Sequence, residues 1–353
     1  MIQRTAALIE ARSVYDENPV PDTNEQSWQR LLSDSITSPD TLLRRLELDP
    51  AQWRAGADLG HQLFSIRVPE PYAQRMARGN ADDPLLRQVL PTLAEGESVP
   101  DYVSDPLQEA DAIATNGLIR KYKSRALVMV TGQCAINCRY CFRRHFPYDE
   151  HRLTPEDRQQ VLDYIASHPD INEVILSGGD PLVASDRLLS FWASSIAKIP
   201  HVRRLRIHTR LPVVIPQRVT PELLGVLSES RLQCVMVLHF NHANELDEAV
   251  KEAMQQLREA GVTLLNQSVI LRGVNDSADG LAALSERLFE CHVLPYYLHA
   301  FDPVAGAHHF AVSDTQARAI VRELLARLPG FLVPRLVREE PDKPGKTPLD
   351  LFS

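Results

Sequence analysis

No stretch of about 18 consecutive apolar residues occurs in this chain, so the sequence offers no transmembrane helix. An excess of basic residues is missing too. The 46 acidic and 38 basic side chains leave a formal net charge of −8, which argues against broad nucleic-acid binding. Cysteine is scarce, and three of the five residues fall within eight positions. That distribution suits a reducing compartment and not a disulfide framework. The opening residues, Met1-Ile-Gln-Arg-Thr-Ala-Ala-Leu-Ile-Glu-Ala-Arg12, are too short an apolar run and too charged for a secretory signal. These absences read together as a cytoplasmic protein that engages neither membrane nor nucleic acid. What remains is a globular composition, 44% apolar, long enough for one large domain or two moderate ones.

The clustered cysteines organise the rest. Cys134-Ala-Ile-Asn-Cys138-Arg-Tyr-Cys141 has the spacing CxxxCxxC. It follows Arg125-Ala-Leu-Val-Met-Val-Thr-Gly132, apolar and β-branched enough to be a buried strand. The thiols therefore sit on a loop leaving a strand end, where parallel α/β proteins build their sites. Three converging thiolates suit a soft metal centre. A structural zinc ion would need a fourth ligand, for which His145 is the candidate. An iron–sulfur cluster on three cysteines leaves one iron open to a ligand. Inert thiols are the plainest alternative. The spacing, with Tyr140 just before the last cysteine, resembles that of the radical S-adenosylmethionine (SAM) enzymes. The resemblance implies a [4Fe–4S] cluster on Cys134, Cys138 and Cys141, with SAM as cofactor.

Residues 1 to about 105 lack a strand-and-helix rhythm. Trp28-Gln-Arg-Leu-Leu-Ser33 and the stretch from Pro39 to Leu48 read as short amphipathic helices. Asp82-Asp-Pro-Leu-Leu-Arg-Gln-Val-Leu-Pro91 reads as extended or turn-like around its prolines. The region carries no motif of its own and reads as a mainly helical scaffold on the main domain. Within 106–328 a rhythm appears, with strands beginning near Ala126, Glu173, Arg204, Gln233, Val262 and Val293. Amphipathic helices alternate with them over Pro155–Ser167, Ser185–Ile196, Pro221–Glu229, Glu245–Ala260, Ser277–Glu290 and Ser313–Leu328, the last capped by Ser313. Six such units predict an α/β fold, a partial (β/α)6 barrel, which the radical SAM resemblance also implies. Residues 329–353 form a C-terminal tail in which Phe331-Leu-Val-Pro-Arg-Leu-Val-Arg338 is strand-like before a Pro/Gly turn.

Each strand end carries polar residues. They are Ser177-Gly178-Gly179-Asp180, Arg206-Ile-His208-Thr-Arg210, His239-Phe-Asn241, Asn266-Gln267-Ser268 and Tyr296-Tyr-Leu-His299-Ala-Phe-Asp302. Any one of them is as readily a structural hydrogen bond as a ligand contact. Their shared position favours a site at the barrel mouth. The glycine pair allows close backbone approach and resembles the radical SAM glycine motif. That likeness implies that Gly178, Gly179 and Asp180 hold the methionine end of SAM, with His239 and Gln267 near SAM or a second cofactor.

Five segments are similar to the lysine 2,3-aminomutases. They are Cys138-Arg-Tyr-Cys-Phe-Arg-Arg144, Leu211-Pro-Val-Val-Ile-Pro-Gln-Arg218, His239-Phe-Asn-His-Ala-Asn-Glu245, Asn266-Gln-Ser-Val-Ile-Leu-Arg-Gly-Val-Asn-Asp276 and Lys346-Thr-Pro348. The likeness covers about residues 105–350. It implies pyridoxal 5′-phosphate (PLP) as a further cofactor, held as a Schiff base by Lys346, with Lys121 and Arg125 near its phosphate. A tail that folds over the barrel mouth and buries Lys346 is implied with it. The resemblance gives Arg143 the substrate carboxylate, and gives Asp302 and Glu339 the distal ammonium. The implied reaction turns L-α-lysine into β-lysine, with a reductant protein such as flavodoxin or ferredoxin. The cysteine loop and the tail look most like the branch that makes (R)-β-lysine for modifying elongation factor P through a separate ligase. The chain departs from the catabolic members in four ways. Glu339 replaces an aspartate and Lys121 an arginine, and Pro341–Gly345 makes a stiffer approach to Lys346. An extension that builds a metal-linked oligomer is also lacking, so homo-oligomerisation stays open. Two alternatives remain: an aminomutase for another amino acid such as glutamate, and a non-catalytic iron–sulfur sensor or docking protein. A sensor would have no use for Lys346 and Arg143.

Overall fold

The computed structural model describes residues 27–147, 153–341 and 343–352. The N-terminal sequence read above as no secretory signal, together with the rest of 1–26, lies outside the described residues. The fold is an open ten-stranded sheet in which neighbours in sequence are neighbours in space. An antiparallel entry is formed by β1 (Ile113–Thr115) and β2 (Leu118–Tyr122), which lead into β3 (Arg125–Thr131). β3 begins a parallel run through β4 (Glu173–Gly178), β5 (Arg204–Thr209), β6 (Gln233–Leu238), β7 (Thr263–Val269), β8 (Leu294–His299) and β9 (Arg335–Arg338). β10 (Thr347–Pro348) returns antiparallel on β9. β1 and β10 do not pair, so the barrel is partial and open.

The six expected strands start within one residue of where the apolar pattern begins them. The helices between them follow from side-chain caps. Thr154, Ser185, Thr220, Asp247, Ser277 and Ser313 each accept a backbone N–H of the first turn. One helix begins later than its periodicity suggests, at Glu248 and not Glu245, because Glu245 turns inward and Asp247 takes the cap. Two features correct the sequence reading. The tail strand joins the sheet as a seventh parallel member, and the β1–β2 hairpin precedes the first expected strand. Asn116-Gly117 forms that hairpin's two-residue connection, a strong turn signal.

A further correction concerns Pro84–Arg87, which is a turn of helix and not extended. Proline at the first helical position loses nothing there, and Asp83 caps it through Leu85 N and Leu86 N. One apolar core runs from Trp28 to Leu349, so the N-terminal region, barrel and tail share it. Trp192 and Leu324 on the outer helices are fully buried in it, and each such side chain contributes roughly 1.5–3 kcal/mol. A smaller cluster around Tyr140, Phe301 and Phe310 packs beside Cys138. Among the described residues no helix is long and apolar enough to cross a membrane.

Candidate active site

All fourteen residues singled out above as cluster, cofactor or substrate ligands line one cavity of about 330 Å³ at the C-terminal ends of the parallel strands. The cysteine loop enters it from β3. Its floor is clasped by the N-terminal region, which gives that scaffold a specific task. Arg139 is wholly buried and donates to Phe64 O (2.5 Å) and Gly60 O (2.8 Å), with a bidentate pair to Glu95. Glu95 also accepts from Arg144 at 2.7 Å. Asn137 N and Arg139 N donate to Arg67 O and Gln88 O. Glu95 is therefore the counter-charge for two buried guanidinium groups. Glu95→Ala should cost on the order of 3–5 kcal/mol, because it leaves both uncompensated. Anaerobic urea unfolding reads this directly, and a loss below about 1 kcal/mol would mean the clasp is not structural.

Burial pushes the Cys134 thiol well above its ordinary value and the Cys141 thiol to about 11, so coordination must displace protons. Among the described residues no three His, Cys, Asp or Glu side chains gather tightly enough for one metal ion. His145, the proposed fourth zinc ligand, instead places Nε2 3.1 Å from Ala305 O. A cluster needs no such convergence on one ion, since each cysteine binds its own iron. The sulfur donor set and the loop therefore fit an iron–sulfur cluster better than zinc.

The glycine motif also has a structural part to play. A Cβ on Gly178, which has φ +117°, would lie 2.4 Å from Thr131 O, and one on Gly179 would lie 2.4 Å from Gln133 O. These glycines allow the β4 loop to close on the cysteine loop's own backbone, through Gly179 N to Thr131 O and Asp180 N to Gln133 O. The Asp180 carboxylate lines the cavity but is committed to Thr209 Oγ1 (2.6 Å), Arg210 N (2.7 Å) and Leu182 N (3.1 Å). It ties the β4 and β5 loops together. His239, at the end of β6, stacks on Tyr140 and lies 2.9 Å from its hydroxyl. Burial, helped by Arg210, lowers His239 to about 3, so it is neutral.

Across the cavity runs a row of five alternating charges: Arg143, Glu109, Lys121, Glu339 and Lys346. Arg143 Nε and Nη2 grip Glu109 at 2.6 and 2.9 Å. Lys121 Nζ lies 3.5 Å from Glu109 and 3.5 Å from Glu339. Lys346 Nζ donates to Glu339 at 2.6 Å, and Tyr122 donates to the same carboxylate at 3.1 Å. Burial alone would raise the Glu339 carboxyl, but Lys346 and Lys121 outweigh it and hold it well below the usual carboxylate range. Among the described residues Asp302 has no such close partner, and burial pushes it up to about 7. The tail brings Lys346 to the cavity wall, with its side chain 18% exposed. Arg125 stacks on Tyr122 at 4.1 Å. On β5, Arg206 Nε and His208 Nε2 are buried without an acceptor or donor among the described residues. A cation-lined cavity with orphaned polar atoms and a lysine at its rim fits an anionic aromatic cofactor such as PLP.

Sequence reasoning missed Glu109, Tyr122, Arg210 and Gln88. None belongs to a spaced motif. Only Arg210, at the end of an alternating strand, stood in a stretch already marked as polar.

An open α/β barrel with a three-cysteine loop after its first parallel strand is the architecture of the radical SAM proteins, and residues 128–284 match the Radical SAM superfamily model. The chain is 51% identical to the L-lysine 2,3-aminomutase of Escherichia coli (strain K12) over 328 residues, 93% of this chain and 96% of that protein. To the L-lysine 2,3-aminomutase of Haemophilus influenzae it is 49% identical, over 92% and 95% of the two chains. The L-lysine 2,3-aminomutase of Clostridium subterminale is 34% identical, with 94% and 79% covered. The chain belongs to the lysine 2,3-aminomutase family, a group of radical SAM isomerases that use a [4Fe–4S] cluster and SAM.

Proposed function

We propose that this protein is a PLP-dependent radical SAM enzyme that converts L-α-lysine to β-lysine. The observation that carries the reading is the row of charges. It brings Lys346 and Glu339 of the tail against Lys121, 218 positions from Glu339, in the cavity that also holds the cysteine loop. The cluster with SAM supplies the hydrogen-abstracting radical, and PLP supplies the π-system that carries nitrogen between adjacent carbons. Cys134, Cys138 and Cys141 would hold the cluster, and the Gly178-Gly179 segment, His239 and Gln267 would face SAM. Lys346 would bind PLP covalently, with Lys121 and Arg125 as cations for its phosphate.

Arg143 would take the substrate carboxylate, sharing its guanidinium with Glu109. Its Nη1 also reaches Ser177 Oγ (3.3 Å) and Gly178 O (3.2 Å), which orient the group. Glu339 serves first as the partner of Lys346. With Lys346 engaged by the cofactor, the carboxylate would be available to a substrate ammonium beside Asp302. Arg143, Glu339 and Asp302 are half-buried, which strengthens each charge contact relative to the open surface.

Below about pH 7 the free Asp302 carboxyl keeps its proton, and a bound ammonium favours the ionised form. Lysine binding to the holoenzyme should therefore expel a proton near pH 6.5 and none at about pH 8.5, above the free value. Binding enthalpies in buffers of different ionisation heat measure this. Asp302→Asn should abolish the difference and raise KM for lysine roughly 10- to 100-fold. Equal proton release at both pH values would remove Asp302 from the substrate site.

The likeness of the cysteine loop and tail to the elongation factor P branch supports an (R) product, consumed by a separate ligase in the cytoplasm. Anaerobic incubation with SAM, PLP, reductant and L-lysine, followed by chiral chromatography, tests the whole reading. (R)-β-lysine is the expected product. The (S) form would keep the reaction and remove the branch. SAM cleavage without β-lysine would refute lysine as substrate.

A further inference from the structure

Arg210 follows directly on β5 with its side chain only 7% exposed and its guanidinium against a cysteine of the loop. Its Nη1 lies 2.7 Å from Cys138 Sγ and 2.8 Å from Tyr140 Oη. Its Nη2 donates to Gln88 Oε1 (2.7 Å) and Tyr72 Oη (3.1 Å), and reaches the Glu245 carboxylate at 3.3 and 3.4 Å. Glu245 is fully buried and is itself fixed by Gln88 Nε2 (2.9 Å) and Asn241 N (3.3 Å). Buried Tyr140 and half-buried Cys138 pack with the apolar cluster of Phe301 and Phe310. Arg210 Nε has no acceptor among the described residues. A guanidinium cannot shed its charge, so a fixed cation touches one sulfur of the cysteine loop, with a fixed anion one contact behind it.

We propose that Arg210 and Glu245 form a buried charge couple that sets the reduction potential of the cluster. Hydrogen bonds and charges at ligand sulfurs tune such potentials, and low dielectric leaves them unscreened. The reduced cluster carries one more negative charge than the oxidised one. Arg210 therefore favours the reduced state, and Glu245 moderates that preference. Both are positioning residues, since they act through Cys138. The couple also explains why the N-terminal region reaches so deep: Tyr72 and Gln88 hold Arg210 in place from that side. The inference rests on the cysteine loop holding the cluster.

The test is an anaerobic redox titration of the reconstituted holoenzyme, followed by electron paramagnetic resonance of the reduced cluster. Arg210→Met should lower the ratio of reduced to oxidised cluster about tenfold at fixed potential, equivalent to roughly 59 mV more negative for one electron. Arg210→Lys, which keeps the charge, should shift it less. Glu245→Gln should move the midpoint the other way. Opposite signs for the two neutralising variants are the expected result; unchanged midpoints, or shifts of the same sign, would overturn the proposal. If Arg210→Met does not yield folded protein, the sign from Glu245→Gln decides alone. Iron and sulfide content of Cys138→Ala separates the two ideas. Full content there would refute the cysteine assignment itself, whatever the potentials do.

Discussion

Lys346→Ala is expected to abolish β-lysine formation while leaving the cluster and its reductive cleavage of SAM in place. The loss should be on the order of 10⁴-fold or more, as for other residues that bond covalently to the reacting system. Three signals should accompany it. The PLP absorbance of the purified protein should vanish, and borohydride should no longer fix the cofactor to the chain. Iron content should stay at the wild-type level, since the cysteine loop is held by Arg139, Glu95 and Gln88, far along the chain from the tail. Lys346→Arg is the sharper variant. It keeps a cation for Glu339, which Lys346 now contacts at 2.6 Å, but cannot bond covalently to the cofactor. Activity retained in the arginine variant would reduce Lys346 to a structural ion pair and sink the assignment.

Cys138→Ala should remove the cluster signal and with it both SAM cleavage and mutase activity, to background. The protein should remain folded, because the loop's position comes from the Arg139–Glu95 pair and backbone contacts to Arg67 and Gln88, not from the thiols. Urea unfolding should therefore move by less than about 1 kcal/mol relative to wild-type apoprotein. Cys234→Ala and Cys291→Ala serve as controls, since both residues are buried in the main core and should leave iron and sulfide content unchanged. A stoichiometric, colourless zinc protein that loses zinc with Cys138→Ala would instead restore the zinc reading.

The barrel was legible in the sequence because its strands are long, apolar and evenly spaced, and because capping residues stand before almost every helix. The β1–β2 hairpin escaped notice for physical reasons. Its strands are three and five residues long, and the second carries Arg120 and Lys121 among its few apolar side chains. β9 could be read as strand-like but not placed, since it is only four residues long and runs into a Pro/Gly-rich tail. The helical turn at Pro84 was misread because proline there is permissive of a helix start, and Asp83 before it is the cap.

At the site, the cysteines and Lys346 stood out through motif and resemblance. Glu109 and Tyr122 could not. Each is a lone polar residue whose meaning is set by neighbours distant in sequence, as Glu109 is by Arg143, 34 positions away. Asp180 shows what a motif leaves unsaid: besides lining the cavity, its carboxylate joins two loops through Thr209 and Arg210.

The wall that carries Lys346 is also the least firmly attached part of the sheet. β10 pairs with β9 over two residues only, Thr347 with Arg338 and Pro348 with Val337, and proline brings no N–H to the ladder. Leu349 N to Leu336 O, Arg322 to Leu351 O and the packing of Leu349 into the core hold it further. The least extensively paired strand of the wall thus lies directly beside Lys346, whose contact with Glu339 ties the short return to the longer strand it pairs with.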